Sequence, residues 1–179
     1  ELVLWKNDSA IAPEFAAAQE PLGNAVYTTL VEPVTARTVL IYGDGPAGLF
    51  AAWKLAQNGV PPLVLERGRE VPSRVKDVNR FWEDGALKEE SNVQFGEGGA
   101  GTFSDGKLYT RINDPRISEI LEVLVRFGAP PEILYLQRPH IGTDRLRQVV
   151  PAMRQFLQEQ GAEFRFQSKV TNLKIADGK

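Results

Sequence analysis

The chain contains no cysteine, one histidine (His140) and one methionine (Met153) among its 179 residues. Without cysteine there is no disulfide staple, no CxxC redox pair, no thiolate metal site and no cysteine nucleophile. Any redox chemistry therefore has to come from a bound cofactor. One histidine makes a histidine-based metal site improbable, and no metal is expected. No apolar run approaches the ~18 residues that a membrane helix needs, and no signal-peptide pattern is evident. Basic residues number 21 against 23 acidic, for a net charge of −2. With no basic patch, nucleic acid is not an expected partner.

The chain is rich in glycine and apolar residues, at 16 glycines and 42% hydrophobic. That supports one domain, or one and a piece, with a real core. Residues 1–36 are rich in Ala, Pro and Glu without a clear period and read as an extension or linker. Residues 37–179 read as the N-terminal part of a Rossmann-like domain. At its end, Val170–Ala176 alternates like a strand and runs into Asp177-Gly178, a hairpin signal. The expectation is the start of a β-meander whose return strand lies beyond Lys179.

The most informative stretch is 39–66. Val39-Leu40-Ile41-Tyr42 suits a central parallel strand buried on both faces. Gly43-Asp44-Gly45-Pro46-Ala47-Gly48 then has G-x-G-x-x-G spacing. Gly43 permits a sharp turn, Gly45 lets backbone N–H groups approach a diphosphate, and Gly48 lets the next helix pack close to the sheet. Pro46 fits the first helical turn, where its missing N–H costs nothing. The helix should run to about Asn58, bury Leu49, Ala52, Leu55 and Ala56, and stop at Gly59. Leu63-Val64-Leu65 is the second strand, and Glu66 stands at its carboxyl end, eighteen residues past Gly48. A carboxylate there can accept hydrogen bonds from ribose hydroxyls, and it would repel a 2′-phosphate. Asp44 is the discordant position. A carboxylate beside a diphosphate costs on the order of 1 kcal/mol even when solvated. The sequence leaves open whether Asp44 points to solvent, weakens binding or is an error.

Further along, Val75, Val78, Phe81 and Trp82 fall at helical spacing, with the aromatics read as packing. Asn92–Leu108 holds a second glycine-rich segment, Gly96-Glu97-Gly98-Gly99-Ala100-Gly101-Thr102, flanked by Phe95, Phe103 and Leu108. Consecutive residues without a Cβ can wrap an anion or lie under a flat ring. Asp114-Pro115 opens a helix that Gly128 ends, and Ile133-Leu134-Tyr135-Leu136 reads as a short strand. Thr143 or Asp144 caps a further helix, which Pro151 should bend or break and Gly161 stops. Phe164-Arg165-Phe166-Gln167 reads as a third parallel strand. His140 is more readily a structural histidine than one facing a redox ring. Asp105 and Lys107 read equally as cofactor contacts or as solvated loop charges.

Several of these segments together resemble a poorly characterised family of FAD-dependent dehydrogenases of the glutathione-reductase-like class, found in bacteria and with plastid relatives. The segments are Ile41–Ala52, Leu65–Gly68, Arg74–Val78, Ser91–Leu108 and Arg138–Leu146. The resemblance covers about residues 37–179. It implies FAD, with Gly43, Gly45, Pro46, Ala47 and Gly48 at the pyrophosphate and Glu66 at the adenosine ribose. Arg67 and Gly98, Gly99, Ala100, Gly101 and Thr102 would border the pyrophosphate and reach toward the flavin, and the backbone of Val170 would meet the adenine edge. Asp44, Tyr42 and Pro151 depart from the pattern, and the flavin-closing segment and substrate domain are absent from these residues. The expectation is the cofactor portion of an FAD-dependent oxidoreductase, with catalytic residues unassigned. Its partner would be a small-molecule substrate or an electron carrier, NAD(P)H among the candidates. The expected compartment is the cytoplasm, or the plastid stroma for a plant protein. The alternative is a degenerate flavoprotein fold serving as a non-catalytic subunit or assembly factor with a protein partner. An NAD-only dehydrogenase is weaker, because it gives the second glycine-rich segment no role.

Overall fold

The computed structural model describes residues 39–108 and 114–172. The proposed extension over 1–36 and the meander turn at 173–179 lie outside the described residues. The chain folds as α/β around a parallel sheet of three strands in the order β1-β2-β3, a Rossmann-like arrangement. β1 is Leu40–Tyr42, β2 is Leu63–Leu65 and β3 is Glu163–Arg165. Ile41 pairs with Val64, and Val64 with Phe164.

Helix α1, Pro46–Gln57, crosses from β1 to β2. Leu49, Ala52 and Leu55 are buried as expected, and Phe50 and Trp53 widen the buried face. Trp53 meets Phe127 edge-on at 5.5 Å and tilts against Phe156 at 5.3 Å. Helices α2 (Val71–Asp84), α3 (Arg116–Arg126) and α4 (Thr143–Glu159) follow. The core joins Leu49 and Trp53 to Val64, Val149, Met153 and Leu157. Full burial of one such side chain is worth ~1.5–3 kcal/mol, so α1 and α4 are held chiefly by this contact.

Five local expectations need correcting. β1 is not buried on both faces: Leu40 is 37% and Tyr42 56% exposed. Among the described residues β1 pairs only with β2, so it forms an edge of the sheet. Ile133–Leu136 is not a strand. The prolines before it favour helical φ, Pro131–Leu134 winds into a 3₁₀ turn, and only Ile133 is buried. Helix α4 runs unbroken through Pro151, because the flanking Val149, Val150 and Met153 anchor it from both sides. Its N-cap is Gly142, and the Thr143 hydroxyl instead donates to the Ser104 carbonyl at 2.8 Å. β3 ends at Arg165, and Gln167 adopts a left-handed φ of 55°.

Candidate functional site

The site is the carboxyl edge of the sheet, where the turn after β1, the end of β2 and the segment 90–103 converge. After Tyr42 the chain turns at Gly43, whose φ of 87° only glycine adopts without strain. The Gly43 N–H donates to the Leu65 carbonyl at 2.8 Å. α1 then starts at Pro46 with Gly45 as N-cap, no side-chain cap and no acid in its first turn. The first N–H groups of a helix lack intrahelical partners, and the dipole is positive there, so this end favours an anion. A Cβ on Gly48 would overlap the Gly43 carbonyl, whereas one on Gly45 would meet nothing within 4 Å. Gly48 therefore serves helix–strand packing, while Gly45 has an open side that an anionic ligand could reach.

The second glycine segment folds onto the first. Gly99–Phe103 is a 3₁₀ turn. A Cβ on Gly99 would sit 3.3 Å from the Gly45 Cα, and one on Gly101 would sit 3.6 Å from Pro46 Cγ. The structure thus brings Gly43, Gly45, Pro46 and Gly48 together with Gly98, Gly99 and Gly101. Ala47 is half-buried beside them, Ala100 is exposed, and the buried Thr102 hydroxyl turns inward, donating to the Glu97 carbonyl at 2.8 Å.

Glu66 faces inward at the end of β2 and is 6% exposed. Its Oε1 accepts the Gly68 N–H at 2.7 Å and the Gly96 N–H at 3.0 Å, and its Oε2 accepts the Asp44 N–H at 3.2 Å. The carboxylate expected to be free for a ribose is held by three amides of its own chain. Asp44 does not point to solvent: it is fully buried, and its Oδ1 accepts the Gly98 N–H at 3.2 Å. Burial, then the charge and hydrogen bond of Glu66, then the charge of Glu97, push the Asp44 carboxyl well above its ordinary range, against a smaller downward pull from the Gly98 N–H.

What holds this edge together is a buried polar network. Arg74 on α2 is fully buried. Its guanidinium donates to the carbonyls of Asn92, Val93, Gly96, Glu97 and Gly99 at 2.6–3.2 Å. Burial lowers its pKa to about 10, against the upward pull of Asp44, Glu66 and Glu97. Glu97, also fully buried, accepts the Val71 N–H at 2.6 Å, which satisfies the first turn of α2, and pairs with Arg154 of α4 at 2.6 Å. The roles of Arg74, Glu97 and Arg154 were not anticipated. A signal existed for Arg74: with Val71, Val75 and Val78 it occupies one helical stripe.

The other sequence candidates lie nearby or apart. Arg67 stacks on the Phe95 ring at 3.7 Å and pairs with Glu90. Val170 is half-buried in irregular backbone, two residues after Ser168, whose N–H donates to the Glu66 carbonyl at 2.8 Å. Phe103 lies between the guanidinium groups of Arg74, at 4.8 Å, and Arg147, at 4.7 Å. Trp82 meets Phe103 edge-on but stays 59% exposed. His140 is exposed and bridges Lys107 through the backbone, and Lys107 pairs with Asp105 at 3.2 Å. No helix among the described residues is long and apolar enough to cross a membrane.

Parallel strands, a glycine-rich turn and an uncapped helix start define an α/β unit of Rossmann-like type. No family model matches the chain. It is similar to an uncharacterized protein of Clostridium beijerinckii, 51% identical over 148 residues, which cover 83% of this chain and 28% of that protein. It is also similar to the L-threonine 3-dehydrogenase of Pyrococcus horikoshii, 38% identical over 102 residues (53% of this chain, 29% of that protein). The L-threonine 3-dehydrogenase of Symbiobacterium thermophilum is 52% identical over 78 residues (44% of this chain, 19% of that protein). The chain thus spans less than a third of the length of these relatives.

Proposed function

We propose that this chain is the dinucleotide-binding portion of an oxidoreductase and that its cofactor is FAD. The observation that carries the reading is the uncapped start of α1 at Gly45, open on the side where a Cβ would otherwise stand. The named relatives are dehydrogenases, which supports oxidoreductase chemistry in general terms.

The residues fit such a cofactor at its diphosphate end. The N–H groups around Gly45, Ala47 and Gly48 would hold the phosphates, with Gly99–Thr102 as the opposite wall. Arg67 and the backbone near Val170 would border the nucleotide. Glu66 would hold a ribose hydroxyl only after giving up part of its present hydrogen bonding to Asp44, Gly68 and Gly96. The flavin, when bound, would accept and pass on electrons or hydride. This chain's own part is to orient it and exclude water.

A nicotinamide dinucleotide is the second reading. A dehydrogenase needs a hydride acceptor, and either dinucleotide fits a glycine turn with an acid at the end of β2. The test is to titrate the folded full chain separately with FAD, NAD and ADP by calorimetry, with Gly45→Ala in parallel. FAD binding that Gly45→Ala weakens supports the first reading. NAD binding without FAD binding moves the assignment to the second. A folded chain that binds none of the three overturns both.

A further inference from the structure

We propose that the open groove between the end of α2 and the loop 92–94 binds an uncharged aromatic molecule that carries a ring carbonyl, of the naphthoquinone type. The groove lies apart from the diphosphate end of the cleft and does not depend on the cofactor reading.

Phe81, Leu87, Asn92, Val93, Gln94 and Ala100 line a cavity of about 340 Å³. Small-molecule pockets start at about 300 Å³, so the groove admits one compound of fused-ring size. Its six lining residues fall well short of the roughly 20–30 residues a side that a stable protein interface uses. Phe81 and Leu87 are both left exposed here. Large apolar side chains gathered around one concavity, rather than scattered singly, mark a binding surface.

The walls are formed before any ligand arrives. Asn92 Nδ2 donates to the Lys88 and Glu89 carbonyls at 2.8 and 3.0 Å, and Asn92 Oδ1 accepts the Gln94 and Phe95 N–H groups at 2.8 and 3.1 Å. Arg74 holds the Asn92 and Val93 carbonyls as well. On the other side, Gly85 ends α2 with a left-handed φ of 71°, and the chain leaves the helix so that Leu87 joins Phe81 on the groove. Ala100 contributes from the 3₁₀ turn, whose Gly99 and Gly101 lie against Gly45 and Pro46 instead.

The lining selects the chemistry. None of its side chains is charged, so an ionic ligand would lose hydration there without gaining a counter-charge. Phe81 makes no ring contact among the described residues, which leaves its π surface for an aromatic ring. Asn92 has spent its amide on the loop. Gln94 has not: its side chain is exposed and hydrogen-bonds to no described residue. A primary amide can donate to a carbonyl oxygen. Apolar walls, an unused ring and one free amide together fit a neutral aromatic carbonyl compound.

The test is chemical-shift mapping of the isotope-labelled full chain during titration with 2-methyl-1,4-naphthoquinone. Saturable shifts that fit one site and centre on the Gln94 side-chain amide, Phe81, Leu87, Val93 and Ala100 are expected. Gln94→Glu and Leu87→Asp, both at exposed positions, put a carboxylate on the groove. Each should weaken binding by about tenfold or more, with the α1 amide shifts unchanged as the control for folding. A comparison that needs no variant uses the sulfonated naphthoquinone, which has the same rings and a charge; it should bind weaker by about tenfold or more. Shifts that fail to saturate, or that appear equally at the exposed Leu134–Leu136, overturn the proposal. So does unchanged affinity in either variant, or equal affinity for the sulfonate. Displacement of the naphthoquinone by FAD would give the groove to the cofactor, and overturns it too.

Discussion

Arg154 Nε lies 2.6 Å from Glu97 Oε1, in a pair that ties α4 to the glycine segment before the 3₁₀ turn. Glu97 is fully buried and Arg154 is 16% exposed. The other carboxylate oxygen accepts the Val71 N–H. One acid thus joins the start of α2, the glycine segment and α4. Removing one partner of a buried ion pair costs about 3 kcal/mol, because the other charge is left uncompensated. Glu97→Ala should lower stability by about that amount, and Arg154→Ala by less, because exposure lets water replace part of the lost partner. Urea denaturation of the three proteins measures both differences and their order.

Arg74 is the organising cation of segment 92–99. Replacement by Met keeps much of the volume but takes the donor from the Asn92, Val93 and Gly99 carbonyls, while those of Gly96 and Glu97 keep the Gly99 N–H and the Thr102 hydroxyl. Each buried unsatisfied group costs ~1–3 kcal/mol, so Arg74→Met should destabilise by at least about 3 kcal/mol. Arg74→Lys should fall between the two, because an ammonium has three donors and no planar fork. Chemical denaturation gives the ranking. Hydrogen exchange should place the increased opening at 92–99 ahead of α1.

Under the proposed dinucleotide reading, the glycines of the first turn separate packing from binding. Gly48→Ala should destabilise strongly, since its Cβ overlaps a backbone carbonyl that has no room to move. Gly45→Ala should keep the melting temperature nearly unchanged, its Cβ facing open space, while reducing dinucleotide affinity. Paired thermal melts and binding titrations of the two variants check this, and equal melting temperatures would contradict it.

The pH dependence of stability follows from Asp44. Its folded pKa is raised above its unfolded value, so the folded state holds more protons in between. Stability is fully present below the ordinary aspartate value and falls as pH rises toward the raised one, by about 1.4 kcal/mol for each unit of difference. Asp44→Asn has no such proton to lose. It should match the wild type at acid pH and exceed it at neutral pH. Denaturation midpoints at pH 4 and pH 7.5 give the sign directly.

Much of the fold was legible. The β1–turn–α1–β2 unit, the third parallel strand and the helices ending near Gly128 and Gly161 follow from local periodicity and glycine placement. The strand expected at Ile133–Leu136 failed because an apolar run carries no information about its partner, and Pro131 had already set the start of a 3₁₀ turn. Pro151 misled because a local penalty of a few kcal/mol is outweighed where Val149, Val150 and Met153 are all buried against the rest of the fold.

The site was legible as a list of residues and not as an arrangement. Gly43, Gly45, Gly48 and Glu66 could be read from spacing, because turn geometry and strand length fix them within one βαβ unit. Sequence alone determined that α/β unit and the meeting of a glycine turn, a helix start and an acid at one sheet edge. Only the tertiary structure decided that Glu66 is held by Asp44, Gly68 and Gly96, that Arg74 and Glu97 hold the second glycine segment over the first, and that Asp44 is buried beneath it. Apart from the local Glu66–Gly68 bond, those outcomes depend on contacts between residues 22 to 57 positions apart, and on how far burial raises the cost of a charge. Neither is encoded in any local stretch of the chain.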